Sequence, residues 1–155
     1  MKIIPALLVS AAIAAIDQLI KLFIRSIPIG AVVFRLPPLL EITHCINTGA
    51  AFSLFSGHTA LLAVGSAMLI YIITYVFFSS FRLSAAGRAA YAVLLGGGIG
   101  NLVDRLLLGG VTDYIRLLFI HFPVFNFADI AITGSAAILM VLMFTDRLEI
   151  KAGEE

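Results

Sequence analysis

Apolar residues run along the chain in four long blocks, about Ile3–Ile24, Ala60–Phe81, Ala89–Leu108 and Asn126–Thr145. Each is close to the roughly 20 residues that a helix rising about 1.5 Å per residue needs to cross the hydrocarbon of a bilayer. Each stops at charge or turn chemistry: Arg25, Arg82, Gly109-Gly110 and Asp146-Arg147. The pattern predicts four transmembrane helices. The first block follows Lys2, as a cleaved leader would. It nevertheless carries Asp17 and Lys21, lacks a small-residue cleavage site, and exceeds the usual leader core of about 7–15 residues. A retained span is expected.

The pattern changes between the blocks. Within residues 25–59, Ala31–Leu36 and Leu40–Ile46 are rich in β-branched and apolar residues and flank Pro37-Pro38. They predict two short strands around a turn. In the second, alternation puts Leu40, Ile42, His44 and Ile46 on one face and Glu41, Thr43 and Cys45 on the other. The other long connection, 109–125, is apolar over Tyr114–Phe125 apart from Arg116 and His121. It is expected to lie in the membrane interface. The predicted fold class is an all-α membrane protein. It has four transmembrane helices and a small extracytoplasmic β-rich segment between helices 1 and 2, in a single domain over residues 1–155.

Composition agrees with a lipid environment. The chain has 155 residues, 61% hydrophobic and only 12% charged, with a mean hydropathy of +1.11. Soluble domains carry about 25% charged residues, and one this small has too little interior to hide so much apolar surface. A net charge of +1 without a basic patch argues against nucleic acid. Cys45 is the only cysteine, so no internal disulfide can form. With four spans, Lys2, Arg82, Arg88, Arg147 and Lys151 share the side of the termini, against Arg25, Arg35 and Arg116 on the other. Five against three predicts cytoplasmic termini.

Charged groups inside spans are costly, by about 2.5–3.5 kcal/mol on insertion scales, yet this chain carries several toward one membrane side. Asp17 and Lys21 stand at i and i+4 on the first span, and Asn101, Asp104 and Arg105 share a face of the third. Asp17–Lys21 and Asp104–Arg105 could each neutralise themselves as structural pairs. Asp113 and Asp129 differ, having no basic neighbour one turn away except Arg116. Two carboxylates at similar depth without local counter-charge suggest a pair that shares a proton. Such a pair can activate a water as general base and donate a proton to a scissile carbonyl. Gly96, Gly97, Gly98 and Gly100 allow close helix approach or leave room for a substrate helix; no Gly-Lys-Ser/Thr follows them to make a phosphate loop.

Four blocks of residues then occur in order. They are Asp17-Gln18-Leu19-Ile20-Lys21, the run from Asn47 through Gly49 to Ser53, Gly97–Arg105 followed by Asp113-Tyr114, and Phe125–Asp129. Together the sequence resembles the bacterial lipoprotein signal peptidases (signal peptidase II, aspartyl peptidase family A8). Ile20, Ile46 and Tyr114 depart slightly from the family pattern. The resemblance implies an intramembrane aspartyl endopeptidase in the bacterial cytoplasmic membrane, with its site toward the extracytoplasmic face. Such an enzyme removes the signal peptide of a diacylglyceryl-modified prolipoprotein just before the lipidated cysteine. It implies catalysis by Asp113 and Asp129, with Asp17, Lys21, Asn47, Gly49, Asn101, Asp104, Arg105 and Asn126 lining or supporting the site. No metal or other cofactor is implied. The expected partners are the prolipoprotein, membrane lipid and globomycin-type inhibitors, with the enzyme a monomer.

Rival readings are weaker. A transporter would explain intramembrane carboxylates, but no internal repeat is present and the polar residues do not continue to the inner side. A cysteine peptidase on His44 and Cys45 fails because strand neighbours point to opposite faces. His44, His58 and His121 lack the spacing of zinc ligands. A purely structural membrane protein would not need Asp113 and Asp129.

Overall fold

The computed structural model describes residues 3–49, 55, 57–145 and 148–150. Residues 50–53 of the second motif, and Lys2, Arg147 and Lys151 of the orientation argument, lie outside the described residues. The four expected spans are helices: α1 (Ile3–Arg25), α2 (Thr59–Ser80), α3 (Ala85–Leu108) and α4 (Phe127–Phe144). All four are long and apolar enough to cross a membrane. Leu7, Leu69, Tyr71 and Phe144 are among many large apolar side chains that point away from the protein, as they must where lipid is the solvent.

Helix α3 begins at Ala85, one turn before the apolar block, because Ser84 caps it: its Oγ accepts from Gly87 N at 3.1 Å. Arg88 ends the hydropathy signal without ending the helix. At the other end Gly109, with φ 69°, takes the left-handed conformation that closes helices readily only at glycine. Helix α3 is central, packed along α1 and α4 and less closely on α2. Its glycines set these distances. A Cβ on Gly96 would stand 2.6 Å from Ser10 O, one on Gly97 would stand 2.8 Å from Ala128 O, and one on Gly100 would run into the Asp17 carboxylate.

The β-rich segment between α1 and α2 is present as β1 (Val32–Leu36) and β2 (Leu40–Asn47), antiparallel. A third strand extends it: β4 (Val111–Leu117), from the α3–α4 connection, pairs antiparallel with β2 in the order β1-β2-β4. The expected alternation of β2 holds as far as Thr43, with Glu41 and Thr43 turned inward. A register shift between Ile42 and Cys45 then leaves Thr43 and His44 both buried, since a bulge breaks the two-residue period. Glu41 lies opposite Arg35 on one side and Arg116 on the other, and it binds both, at 3.1 and 2.8 Å. That cross-strand row ties the three strands together. At the opposite end of the helices, β3 (Phe81–Leu83) pairs antiparallel with β5 (Leu148–Ile150).

Candidate active site

The C-terminal ends of α1 and α3 and the N-terminal end of α4 meet beneath the three-stranded sheet, and their polar residues converge there. Lys21 is fully buried. Its ammonium binds Asp17 Oδ2 at 2.8 Å and Asp104 Oδ2 at 3.5 Å, and donates to Asn101 Oδ1 at 2.7 Å. Asp104 is paired with Lys21 and, at 3.1 Å, with Arg25. The expected Asp104–Arg105 pair does not form. Those two side chains leave α3 about 100° apart, and Asp104 faces α1. The remaining acceptors are satisfied by the backbone: Ala128 N donates to Asp17 Oδ1 at 3.1 Å and Thr112 N to Asp104 Oδ2 at 2.9 Å. This web therefore fastens α1, α3, β4 and α4 to one another. Gln18 and Arg25, not singled out as site residues in the sequence, belong to it: Gln18 Nε2 donates to Asp104 Oδ1 at 2.9 Å and to Gly100 O at 3.0 Å.

Two amides pass this order on to Asp113 and Asp129. Lysine has only donors to offer, so Asn101 turns its carbonyl oxygen to Lys21 and its Nδ2 to Asp129, donating to Oδ1 at 2.8 Å. Asn126 is the N-cap of α4 in a reciprocal capping box. Its Oδ1 accepts from Asp129 N at 3.0 Å, and Asp129 Oδ2 accepts from Asn126 N at 3.2 Å. The Asn126 Nδ2 is thereby aimed at Asp113 Oδ1, 2.6 Å away, and at Asn101 Oδ1, 3.1 Å away. From the sheet, Asn47 Nδ2 donates to Asp113 Oδ2 at 2.9 Å, while its Oδ1 accepts from Gly49 N at 3.0 Å. Arg116, the basic residue nearest Asp113 in sequence, is engaged by Glu41 instead.

Asp113 and Asp129 line one cavity of about 550 Å³, together with Asn47, Asn101 and Arg105. Its apolar walls come from Val111 and 122–125 on one side and from Ile130, Thr133 and Gly134 on the other. Of the other residues expected at the site, Asn126 is buried under the two carboxylates, and Asp17, Lys21 and Asp104 form the layer behind. Gly49 holds the Asn47 turn. Burial pushes the Asp113 carboxyl up to about 6, against the hydrogen bonds from Asn47 and Asn126, and the nearby Asp129 pushes the same way. Tyr114, beside it, donates no proton easily: burial raises its hydroxyl to about 12. Its oxygen accepts from Phe127 N at 3.0 Å, at the start of α4. The alternative pairing of His44 with Cys45 finds no support, since His44 Nδ1 lies 2.6 Å from Ile27 O. The walls at 122–125 come from the apolar 114–125 connection, which the sequence offers as a clamp over the substrate; Thr133 and Gly134 were not legible as site residues, because such residues in a membrane helix carry no distinguishing signal.

The chain has known relatives in sequence and in fold. The lipoprotein signal peptidase of Dehalococcoides mccartyi is 38% identical over 142 residues, covering 88% of each chain. That of Enterococcus faecalis is 31% identical over 148 residues, covering 95% of this chain and 92% of the relative. A bacterial membrane enzyme solved by the in meso method at 2.3 Å resolution superposes with a TM-score of 0.85 at 27% identity, over 99% of this chain and 95% of that one. The profile of the family described as Signal peptidase (SPase) II, Peptidase_A8, matches residues 9–145. A match of that length, relatives above 30% identity along nearly the whole chain, and a shared four-helix fold place this protein in the signal peptidase II family of aspartic peptidases.

Proposed function

We propose that the chain is the peptidase that removes the signal peptide from diacylglyceryl-modified prolipoproteins, cutting just before the lipidated cysteine, with Asp113 and Asp129 as its catalytic pair. The observation that carries this reading is the convergence of the two carboxylates, from β4 and from the first turn of α4, on one partly apolar cavity. Two nearby carboxylates in a poorly solvated site retain one proton between them. The ionised member takes a proton from a water as that water attacks the scissile carbonyl carbon. The protonated member donates to the carbonyl oxygen, giving a tetrahedral gem-diol. Collapse of that intermediate breaks the C–N bond. The proton taken from the water passes to the leaving amine, the one donated to the oxygen returns, and the pair again holds one proton.

Asn47, Asn101 and Asn126 hold the carboxylates in place during these steps, and Arg105, which lines the cavity, binds a substrate carbonyl. The lipid-anchored substrate fits an apolar cavity at one end of the spans. By the distribution of basic residues, that end faces outward from the cytoplasmic membrane and both termini lie inside. Globomycin-type inhibitors would occupy the same cavity, and a monomer holds every group the chemistry uses.

The test is cleavage of a diacylglyceryl-modified prolipoprotein by purified protein in detergent, comparing wild type with Asp113→Asn and Asp129→Asn. Cutting by wild type before the lipidated cysteine, with folded but inert variants, is expected. Near-normal turnover by either variant removes that residue from the mechanism.

A further inference from the structure

Gly134 stands on α4 five residues beyond Asp129, and it lines the same cavity. Glycine in a helix interior is a poor helix former, and what it makes room for differs from place to place in this chain. In α3 the reason is packing: at Gly96, Gly97 and Gly100 a Cβ would meet a neighbouring helix. At Gly134 packing gives no reason, since a Cβ there would meet nothing within 4 Å. The missing side chain instead leaves a notch in the wall of the cavity. Ile130 and Ile138, one turn to either side on the i±4 row, are 50% and 52% exposed and form its rims. Thr133 and Ala137 beside it are small and exposed.

We infer that Gly134 is a specificity-determining residue. Its notch receives a bulky side chain of the substrate's signal helix, which lies along α4 with its end at the two carboxylates. This inference rests on the peptidase reading. Three features favour the helix over an acyl chain as occupant. The notch and the carboxylates line one cavity, so a signal segment whose cut bond lies at the carboxylates reaches it. Helix α4 continues from Asp129 to its end at Phe144, about 22 Å along the axis, which matches the longest apolar signal segments, of about 15 residues. Finally, close approach of one helix to another in lipid depends on small residues such as glycine, whereas a flexible acyl chain fits between ordinary side chains. Gly134 lies about 7.5 Å along the axis from Asp129. The side chain it receives therefore belongs one to two helical turns before the cut.

The experiment measures kcat and KM of purified wild type, Gly134→Ala, Gly134→Leu and Gly65→Leu on a diacylglyceryl-modified prolipoprotein with a leucine-rich signal segment. Gly65 is the control: its Cβ position on α2 is equally open, but it lies away from the cavity. Gly134→Leu should raise KM about tenfold or more, with kcat nearly unchanged, and Gly134→Ala should do so less. Replacing the single bulky signal residue that fits the notch by glycine should return Gly134→Leu to within about threefold of wild type. Gly65→Leu should behave as wild type. Unchanged kinetics in Gly134→Leu overturn the inference alone. A loss relieved by shorter acyl chains, and not by a smaller signal residue, overturns it in favour of the lipid as occupant. An inactive wild type overturns the peptidase reading and this inference with it.

Discussion

Asp113 accepts an amide N–H on each carboxylate oxygen, and both donors favour its charged form, yet burial prevails and holds it at about 6. The consequence for stability has a definite sign. A carboxyl raised from 3.8 to about 6 in the folded state binds its proton more tightly there than in the unfolded chain. Its contribution is most favourable below about 4 and is lost as pH rises through about 6, by about 3 kcal/mol at most. The stability of wild type relative to Asp113→Asn, followed by thermal unfolding in detergent, should therefore fall over that window. A flat difference would mean that Asp113 is better solvated than its burial implies. Lys21 presents the opposite case, a cation whose cost of burial is offset by Asp17, Asp104 and Asn101. Lys21→Met leaves buried carboxylates without their counter-charge and should cost about 3–5 kcal/mol. A loss below about 1 kcal/mol would show the web to be redundant.

Among the elements, α3 holds the site together, because it meets α1 on one face and α4 on another. The closeness of these contacts depends on glycines that differ in what they face. A Cβ on Gly97 meets the backbone oxygen of Ala128 at 2.8 Å, whereas one on Gly98 meets only the side-chain tip of Ile70 at 3.2 Å. Backbone cannot yield as a side chain can. Gly97→Ala should therefore destabilise by about 1–3 kcal/mol, and lower turnover by moving Asp129 away from Asn101. Gly98→Ala should be close to neutral. Equal unfolding temperatures for the two variants would argue against a rigid α3–α4 contact. The sheet matters at this scale too. Strand β4 brings Asp113 to the site, and β2 holds it there through Asn47.

In the whole molecule, the sheet and the two carboxylates lie at one end of the helices, and β3 and β5 at the other. The proposed orientation puts the first end outside the cell. In a Cys45→Ser background, a membrane-impermeant thiol reagent added to intact cells should label Ile29→Cys, whose position is 71% exposed. It should label Ala86→Cys only after permeabilisation. The reverse pattern would invert the topology and move the site to the cytoplasmic face. Arg35 and Arg116 at the sheet would then count among the inner charges.

The four spans, their approximate ends and the two strands around Pro37-Pro38 were readable from the order of residues, because hydropathy over about 20 positions and alternation over a few are local properties. The residues with chemistry were readable as well, since a charged group inside an apolar run needs a reason of its own. Their partnerships were not. Asp104 stands beside Arg105 in the chain but binds Lys21 and Arg25 across a helix contact. Likewise, β4 looked like an apolar interfacial connection until it paired with β2. Which asparagine faces which carboxylate follows from donors supplied by other elements, and so does the difference between a packing glycine such as Gly97 and an open one such as Gly134. Periodicity says which face of an element is special; only the packed helices decide what that face meets.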